Sequence, residues 1–505
     1  MNHIEPNRGW FTPLAVLILV TGLAAPLPGA ITIHVPGDVP TITQAVALAS
    51  SGDTILVAGG SYTESVTVSS GTLTFVAGSP EETFWNAAPD LCLEVNTSGN
   101  VTMHGFVLQN AAGQALGCYG SSASLHVENC TLQNNGRWGI HNAADGSLTA
   151  INCLMRNNNT SMTTLTHGGV RFDSTGATAL IEGCTIISDT NTGGVGIHPL
   201  NGSDVEIRGC TIRDAQRGIA AGNAGTRTVV TDTQFSGCTV AIYADRNAEL
   251  NAGDLGNSDP TDDGGNIFFP DNTDFHENGG ASVFLAEGNL YPRIDSAYLT
   301  ARVLGSVDYS PALHVVVERA ATHPDPVKFP TPVPDGQFLE IRAVANEPGV
   351  YPIDLGDWML SDDPLFSAGD EGIFEIPGGT TINTGQSIMF AWNLAEIDRV
   401  WGIHPTAQTF DLSTASPEIA LSIASDEVFL SPSTVGIHDA LLYGATDDTV
   451  DPTVWLAGRV PLGPEGTLFT RDLDSTDTNT AADWTSEYFG GRLNTTPVSG
   501  WEVYR

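Results

Sequence analysis

Residues 128–134 read ENCTLQN, and the pattern returns as INCLMRN (151–157), EGCTIIS (182–188) and RGCTIRD (208–214). HGFVLQN (104–110) precedes these segments and TDTQFSG (231–237) follows, all aligned without gaps. The shared position holds Phe106, Cys130, Cys153, Cys184, Cys210 and Thr233, at successive spacings of 24, 23, 31, 26 and 23 residues. Two places on stands a large apolar residue: Leu108, Leu132, Met155, Ile186, Ile212 and Phe235. Three places before stand Met103, Val127, Ala150, Ile181, Ile207 and Val230. Further along each repeat a small residue precedes an aliphatic one, as in Gly139-Ile140, Gly169-Val170, Gly196-Ile197 and Gly218-Ile219. A fixed period of this size marks stacked repeats. Short alternating apolar runs broken by Gly and Asn make each repeat a set of strands and turns. Helical repeats would need long amphipathic stretches, and these are absent. The pattern predicts a parallel β-helix.

The same register accounts for the cysteines. Of the seven, four occupy the aligned inward column. Neighbouring rungs stand about 4.8 Å apart with side chains parallel, wider than the roughly 3.8 Å between Cβ atoms that a disulfide prefers. Free cysteine packs as a small hydrophobe, so stacked thiols are expected in place of bridges. A second column reads Asn110, Asn134 and Asn157, then Ser188, Asp214 and Gly237. Asn tolerates a left-handed backbone at turns, and stacked amides can hydrogen-bond from rung to rung.

Residues 11–25, FTPLAVLILVTGLAA, form an apolar run after Arg8, followed by small residues near Ala30. The run has the form of a secretory signal, expected to span 1–30, and is short for a membrane span. No later segment is long enough to cross a bilayer. With 58 acidic against 19 basic residues the net charge is −39. Such a balance opposes partnership with nucleic acid or anionic lipid, which need basic patches.

After the apolar run, Thr41-Ile-Thr-Gln44 reads as a capping box opening a short helix, suited to covering the open end of a solenoid. The stretch VPTITQAVALASSGDTILVAGGSYTESVTV (39–68) resembles the entry segment of the pectin-lyase-like right-handed β-helix superfamily. DLGNSDPTDDGGNIFF (254–269), AEGNLY (286–291) and SVDYSPAL (306–313) resemble the way such solenoids close. The resemblance implies a solenoid over 31–320 and leaves function open, since that superfamily includes lyases, hydrolases, epimerases and proteins without known catalysis.

HPDPVKFPTPVPDG (323–336) has the composition of a stiff linker, expected over 321–336. Beyond it the repeat is lost, and short strand-like runs (FLEIRAV, SIMFAW, ALLYG) alternate with turns, which predicts an immunoglobulin-like β-sandwich over 337–500. IDLGDWMLSDD (353–363), FEIPGGTTINTGQSIMFAW (374–392) and IHDALLYG (437–444) resemble the lamin-tail domain. The resemblance implies an accessory module that attaches or presents its partner domain. Its 28 acidic and 7 basic residues over 324–505 oppose a DNA-binding role.

Chemical motifs are sparse. No serine elbow, zinc-type cysteine pair or phosphate-binding glycine loop is present. Asp254, Asp259, Asp262 and Asp263 offer hard oxygen ligands for Ca²⁺ without EF-hand spacing; the alternative is a solvated acidic loop, and the same holds for Asp472, Asp474 and Asp477. A sharper set follows each small-aliphatic pair, where the next residue should point outward. That column reads Gly117, His141, Arg171, His198, Ala220 and Tyr243, and two places on it reads Tyr119, Ala143, Asp173, Leu200, Gly222 and Asp245. His141, Arg171, Asp173 and His198 are thereby predicted to share one face, with extra residues at 157–168, including His167, beside them. Such a patch could abstract a proton next to a uronate, Arg171 holding the carboxylate, or bind a metal. It could equally be an exposed polar ladder. Paired Asp with Gly-His-Gly and Arg-x-Lys patterns are missing, and the single lysine, Lys328, lies outside the repeats. The sequence therefore points to an exported, non-catalytic, all-β protein that binds glycans or partner surfaces. The alternative is a polysaccharide lyase or glycoside hydrolase acting on an acidic polysaccharide.

Overall fold

The computed structural model describes residues 29–321, except 81, 87–89, 97, 161–167, 189–193, 270–272 and 279–282, and then 337–361, 373–393, 397, 408–412, 425–432, 438–444, 460, 467–471, 481 and 484–488. The expected export signal, the proline-rich segment, His167 and Asp472, Asp474 and Asp477 lie outside the described residues.

Three parallel sheets build the solenoid. An eleven-stranded sheet runs from Thr32–Val35 to Val283–Leu285, and a ten-stranded sheet from Val66–Val68 to Val303–Leu304. A third starts at Gly60–Thr63 and continues past the solenoid to sixteen strands. Phe106, Cys130, Cys153, Cys184, Cys210 and Thr233 are all buried. The backbone carbonyl of each of the first five accepts from the residue after its counterpart one rung on, as in Leu154 N–H to Cys130 O at 2.9 Å. They form one inward column. All seven cysteines are free and buried, and burial pushes the thiols of Cys92, Cys118 and Cys130 up to about 12. Beyond Thr233 the column becomes polar. Thr233 N–H donates to Asn266 Oδ1, and the Asn266 side chain donates to Asn289 Oδ1 at 2.9 Å, both amides fully buried.

Local chemistry fixes the corners. The residue before each column position has positive φ, and it is Gly105, Asn129, Asn152, Gly183, Gly209 or Asp232; these types tolerate that conformation best. Asn110, Asn134 and Asn157 are left-handed as expected (φ 60°, 55° and 52°). A rung-to-rung amide bond of the inner kind runs one residue later, from Asn135 Nδ2 to Asn158 Oδ1 at 2.8 Å. The small-residue column has a steric cause. A Cβ at Gly169 would stand 2.4 Å from Gly196 O, and one at Gly196 would stand 2.4 Å from Gly218 O.

The helix Ile42–Leu48 covers the N-terminal end with Ile42 and Ala45 buried. Thr41 caps it by accepting from Gln44 N–H. The remaining donors are met by Glu64, which accepts from Ile42 and Thr43 N–H at 2.9 and 2.7 Å. Glu64 on the following strand-turn thus supplies acceptors to the first turn that a capping box read from residues 41–44 does not provide.

The far end of the solenoid runs up to the expected linker in a strand, and residues 322–336 of that linker lie outside the described residues. The strand Ala312–Ala321 is buried throughout, pairs in parallel with Asn289–Leu290 of the solenoid, and pairs antiparallel with Phe338–Ala345. The segments flanking the prolines are therefore neighbours in one sheet. Proline content reads as a spacer, but ALHVVVERAA satisfies its backbone on both edges. Beyond it, Ser387–Ala391, Thr467–Arg471 and Trp484–Tyr488 continue this sheet. A four-stranded antiparallel sheet, which includes Met359–Ser361, Ser425–Ser431 and Asp439–Gly444, supplies a second layer. The two share a core that contains Ile341, Phe390, Leu430 and Leu441, joined by Ile267, Phe269 and Leu290 from the solenoid.

Candidate functional site

The ten-stranded sheet carries the predicted patch. Its register places His141 beside Arg171 and Arg171 beside His198 on three consecutive strands. Asp173 joins them from the residue just past the strand Gly168–Phe172. Its Oδ2 lies 2.9 Å from His141 Nε2 and 2.5 Å from Arg171 Nε, and its Oδ1 accepts from Arg171 Nη2 at 2.8 Å. Burial would raise the Asp173 carboxyl, yet hydrogen bonds from His141 and Arg171 outweigh it and hold the group at about 2. Side chains of His141, Arg171 and Asp173 are each about one-fifth exposed (22%, 23% and 21%). They form a recessed, internally paired cluster.

This pairing gives Arg171 a positioning role beside the one expected of it. Both of its donor nitrogens that reach Asp173 are committed, as in a bidentate arginine–carboxylate fork. Its guanidinium also lies 5.7 Å from the Trp138 ring centroid. The remaining N–H groups of the guanidinium, on Nη1 and Nη2, are not used by Asp173. Arg171 orients Asp173, and Asp173 in turn orients His141.

Trp138 and Asn201 beside the cluster stand outside the outward columns, whereas Tyr119 belongs to one of them. Trp138 is buried, and its ring stands 6.0 Å from that of His198. Tyr119 meets His141 edge-to-face at 5.6 Å, and burial pushes its hydroxyl up to about 12, so it stays a neutral donor. Asn201 reaches Asp173 Oδ1 at 3.4 Å. Trp138 packs with Val195, Ala220 and Tyr243 in a buried cluster separate from the solenoid core. Trp138, Val195 and Arg217 stand three residues before the column of His141, His198 and Ala220. Two-residue alternation assigns them to the inner side, whereas Trp138 and Val195 pack with Ala220 and Tyr243 outside the solenoid core. Tryptophan directly before Gly139-Ile140 was the available signal.

A family model described as "Periplasmic copper-binding protein (NosD)" matches residues 65–273. Among solved structures, an alginate lyase from Paenibacillus sp. str. FPU-7 is similar at 13% identity and TM-score 0.32, over 50% of this chain and 96% of that one. Pectate lyase Pel9A is similar at 15% identity and TM-score 0.32, over 50% and 77%. The tailspike protein gp49 of Acinetobacter baumannii bacteriophage Fri1, a capsular polysaccharide depolymerase, is similar at 12% identity and TM-score 0.34, over 70% and 77%. No curated protein matches the chain.

Metal ligation finds no support in the geometry. Among the described residues no group of three or more His, Cys, Asp or Glu side chains is placed to hold an ion, so the copper of the matched family's description is not assigned to residues here. The Ca²⁺ expectation at Asp254, Asp259, Asp262 and Asp263 meets the same finding. Asp254 accepts from Gly256 N–H and Asn257, Asp259 caps the turn Pro260–Asp262 through Thr261, and Asp262 accepts from Asn251 and Asn257. Sequence-local hydrogen bonds occupy oxygens that a cation would need. Burial, with Asp259 and Asp254 nearby, raises the Asp262 and Asp263 carboxyls. Among the described residues no helix is long and apolar enough to cross a membrane.

Proposed function

We propose that this chain is an exported β-helix protein that binds glycans, without catalysis, on the outward face of its ten-stranded sheet. The observation that carries the reading is the fixed constellation of Tyr119, Trp138, His141, Arg171 and Asp173 along consecutive rungs. Half-buried amide, imidazole, carboxylate and guanidinium groups held by one another suit saccharide hydroxyls, and preorganisation lowers the entropic cost of binding. The segment 1–30 acts as the export signal, and the lamin-tail-like module assists attachment. In this proposal 31–320 is the binding domain, 321–336 the proline-rich connection and 337–500 the module, with the strand Ala312–Ala321 joining them.

A glycan array run with the full chain, beside an absorbance assay for unsaturated uronate products, tests this. Binding to a glycan class without product formation is expected, and Asp173→Ala should abolish it. A chain that binds no glycan, or a binding profile unchanged by Asp173→Ala, overturns the reading. A second reading, polysaccharide cleavage, is favoured by one observation: the His141–Asp173 hydrogen bond orients an imidazole toward the same face, as a general base requires. Steady product formation lost in His141→Ala would establish it instead.

A further inference from the structure

We infer that Arg217, its guanidinium over the Tyr243 ring, is an oxyanion-binding subsite of the same face, taking the carboxylate or sulfate of an acidic saccharide. The inference rests on the glycan-binding reading for its biological ligand and on independent geometry for the subsite itself. Arg217 opens the strand Arg217–Gly222, two strands beyond that of Arg171, about 10 Å across at the usual spacing, and in register with Val195 and Gly168, three residues before Arg171. Its guanidinium carbon stands 3.6 Å from the Tyr243 ring centroid. The ring beneath it is pinned. Asn278 Nδ2 donates to Tyr243 Oη at 2.7 Å, Tyr243 Oη donates to Asp245 at 3.4 Å, and His276 meets the ring edge-on at 5.2 Å.

Among the described residues, Arg217 is set apart by having no carboxylate against its guanidinium. The other described arginines face carboxylates, as Arg171, Arg208, Arg213, Arg227 and Arg302 do, or stand exposed, as Arg137 and Arg156 do. Arg217 is half-buried, and among the described residues no Asp or Glu lies within ion-pair distance. Its register neighbours on both sides are Val195 and Val240, which offer no side-chain acceptor. In a chain of net charge −39, leaving a partly desolvated cation without a carboxylate is costly, and the tyrosine face recovers part of that cost. Contact with the ring restricts the guanidinium, whose planar fork of donors suits an oxyanion. Arg217 would add an anion-binding position beside the one that the sequence suggested for Arg171.

Two probes separate the subsite from its biological ligand. Radiolabelled sulfate in equilibrium dialysis with the full chain reads the subsite alone. A uronic-acid trisaccharide and its carboxyl-reduced counterpart, titrated calorimetrically, read its place in glycan recognition. Arg217→Met should weaken sulfate binding at least about tenfold, consistent with the loss of charge-assisted hydrogen bonds. It should also bring the uronate trisaccharide down to the affinity of the reduced one. Arg217→Lys, which keeps charge without the fork, should keep part of the preference. Arg213→Met, on another sheet, should leave sulfate binding unchanged. Thermal unfolding followed by circular dichroism establishes that each variant is folded, and Arg217→Lys carries the test if Arg217→Met is not. Sulfate binding equal in wild type and the Arg217 variants, or lost equally in Arg213→Met, overturns the subsite and leaves Arg217 as structural cover for Tyr243. Sulfate bound through Arg217 with neither trisaccharide bound overturns the glycan reading while the subsite stands.

Discussion

In the solenoid a buried side chain usually meets its own counterpart one rung away, as Cys153 meets Cys184 and Ile186 meets Ile212. Beyond Ala312 it meets a different residue from a distant part of the chain. There, Asp439 accepts from Val317 N–H at 2.6 Å and from both terminal nitrogens of Arg471 at 3.0 Å, with every member buried. Arg319 faces Glu340 in the same layer. Repetition spreads stability over many equivalent contacts, whereas the module concentrates it in a few pairs. A repeat array therefore tolerates loss at one rung better than the module tolerates loss of one partner.

The largest expected effect tests that contrast directly. Asp439→Ala leaves Arg471 buried without its carboxylate and should destabilise the module by about 3–5 kcal/mol. Urea unfolding followed by tryptophan fluorescence should show the module's transition moving to lower denaturant while that of the solenoid stays put. Coincident shifts in both would mean that the two regions unfold as one unit.

Gly196→Val comes next. The new Cβ would lie 2.4 Å from Gly218 O, so the rung must spread, at a cost of about 3 kcal/mol. The same substitution at Gly209, where a Cβ would meet nothing within 4 Å, strains only the positive φ of 58°. If thermal melts find Gly209→Val the more damaging of the two, the close-approach explanation of the small-residue column fails.

Acidity should act on the two regions in opposite directions. Asp173 is depressed from 3.8 to about 2, so its contribution of about 2 kcal/mol is present above pH 4 and lost as pH falls toward 2. Burial raises Glu340 from 4.5 to about 7 against the pull of Arg319. Its contribution is therefore present below about pH 4.5 and lost as pH rises through 7. Melting curves recorded from pH 2 to 8 should lose their acid arm in Asp173→Asn and their neutral arm in Glu340→Gln. An unaltered acid arm in Asp173→Asn would detach the candidate site from solenoid stability.

The smallest effect belongs to the thiol stack. Cys184→Ala removes one sulfur from a column whose neighbours are alike, and should cost about 1 kcal/mol, near the value for losing one buried methylene. Labelling of denatured, unreduced protein should find at least five free thiols. Three bridges would contradict the stack.

The repeat was legible because periodic columns state their own register: Phe106 through Thr233 could be aligned by eye, and the same alignment placed His141, Arg171 and His198 on adjacent strands. What escaped was whatever broke the period. Trp138 and Arg217 sit across a glycine from the columns of His141 and Ala220, so counting by twos leaves both off that face, although Arg217, with Arg171, Arg208 and Arg213, is among the arginines that the sequence offers as a possible base. Asn266 and Asn289 continue the thiol column in another chemistry, which identity of residue type does not reveal. Glu64 caps a helix 21 residues away, and no local signature encodes that bond. The strand Ala312–Ala321 was obscured by its neighbour, because five prolines nearby suggested a tether.

That strand has a mechanical consequence. With one edge bonded to the last rung and the other to Phe338–Ala345, a pull on the module does not straighten a slack cord. The load enters the sixteen-stranded sheet, where rows of hydrogen bonds share it with successive rungs. If the module anchors the protein while the ten-stranded face holds a polymer, tension between the two runs through a stiff beam, and the weakest point becomes the grip on the polymer.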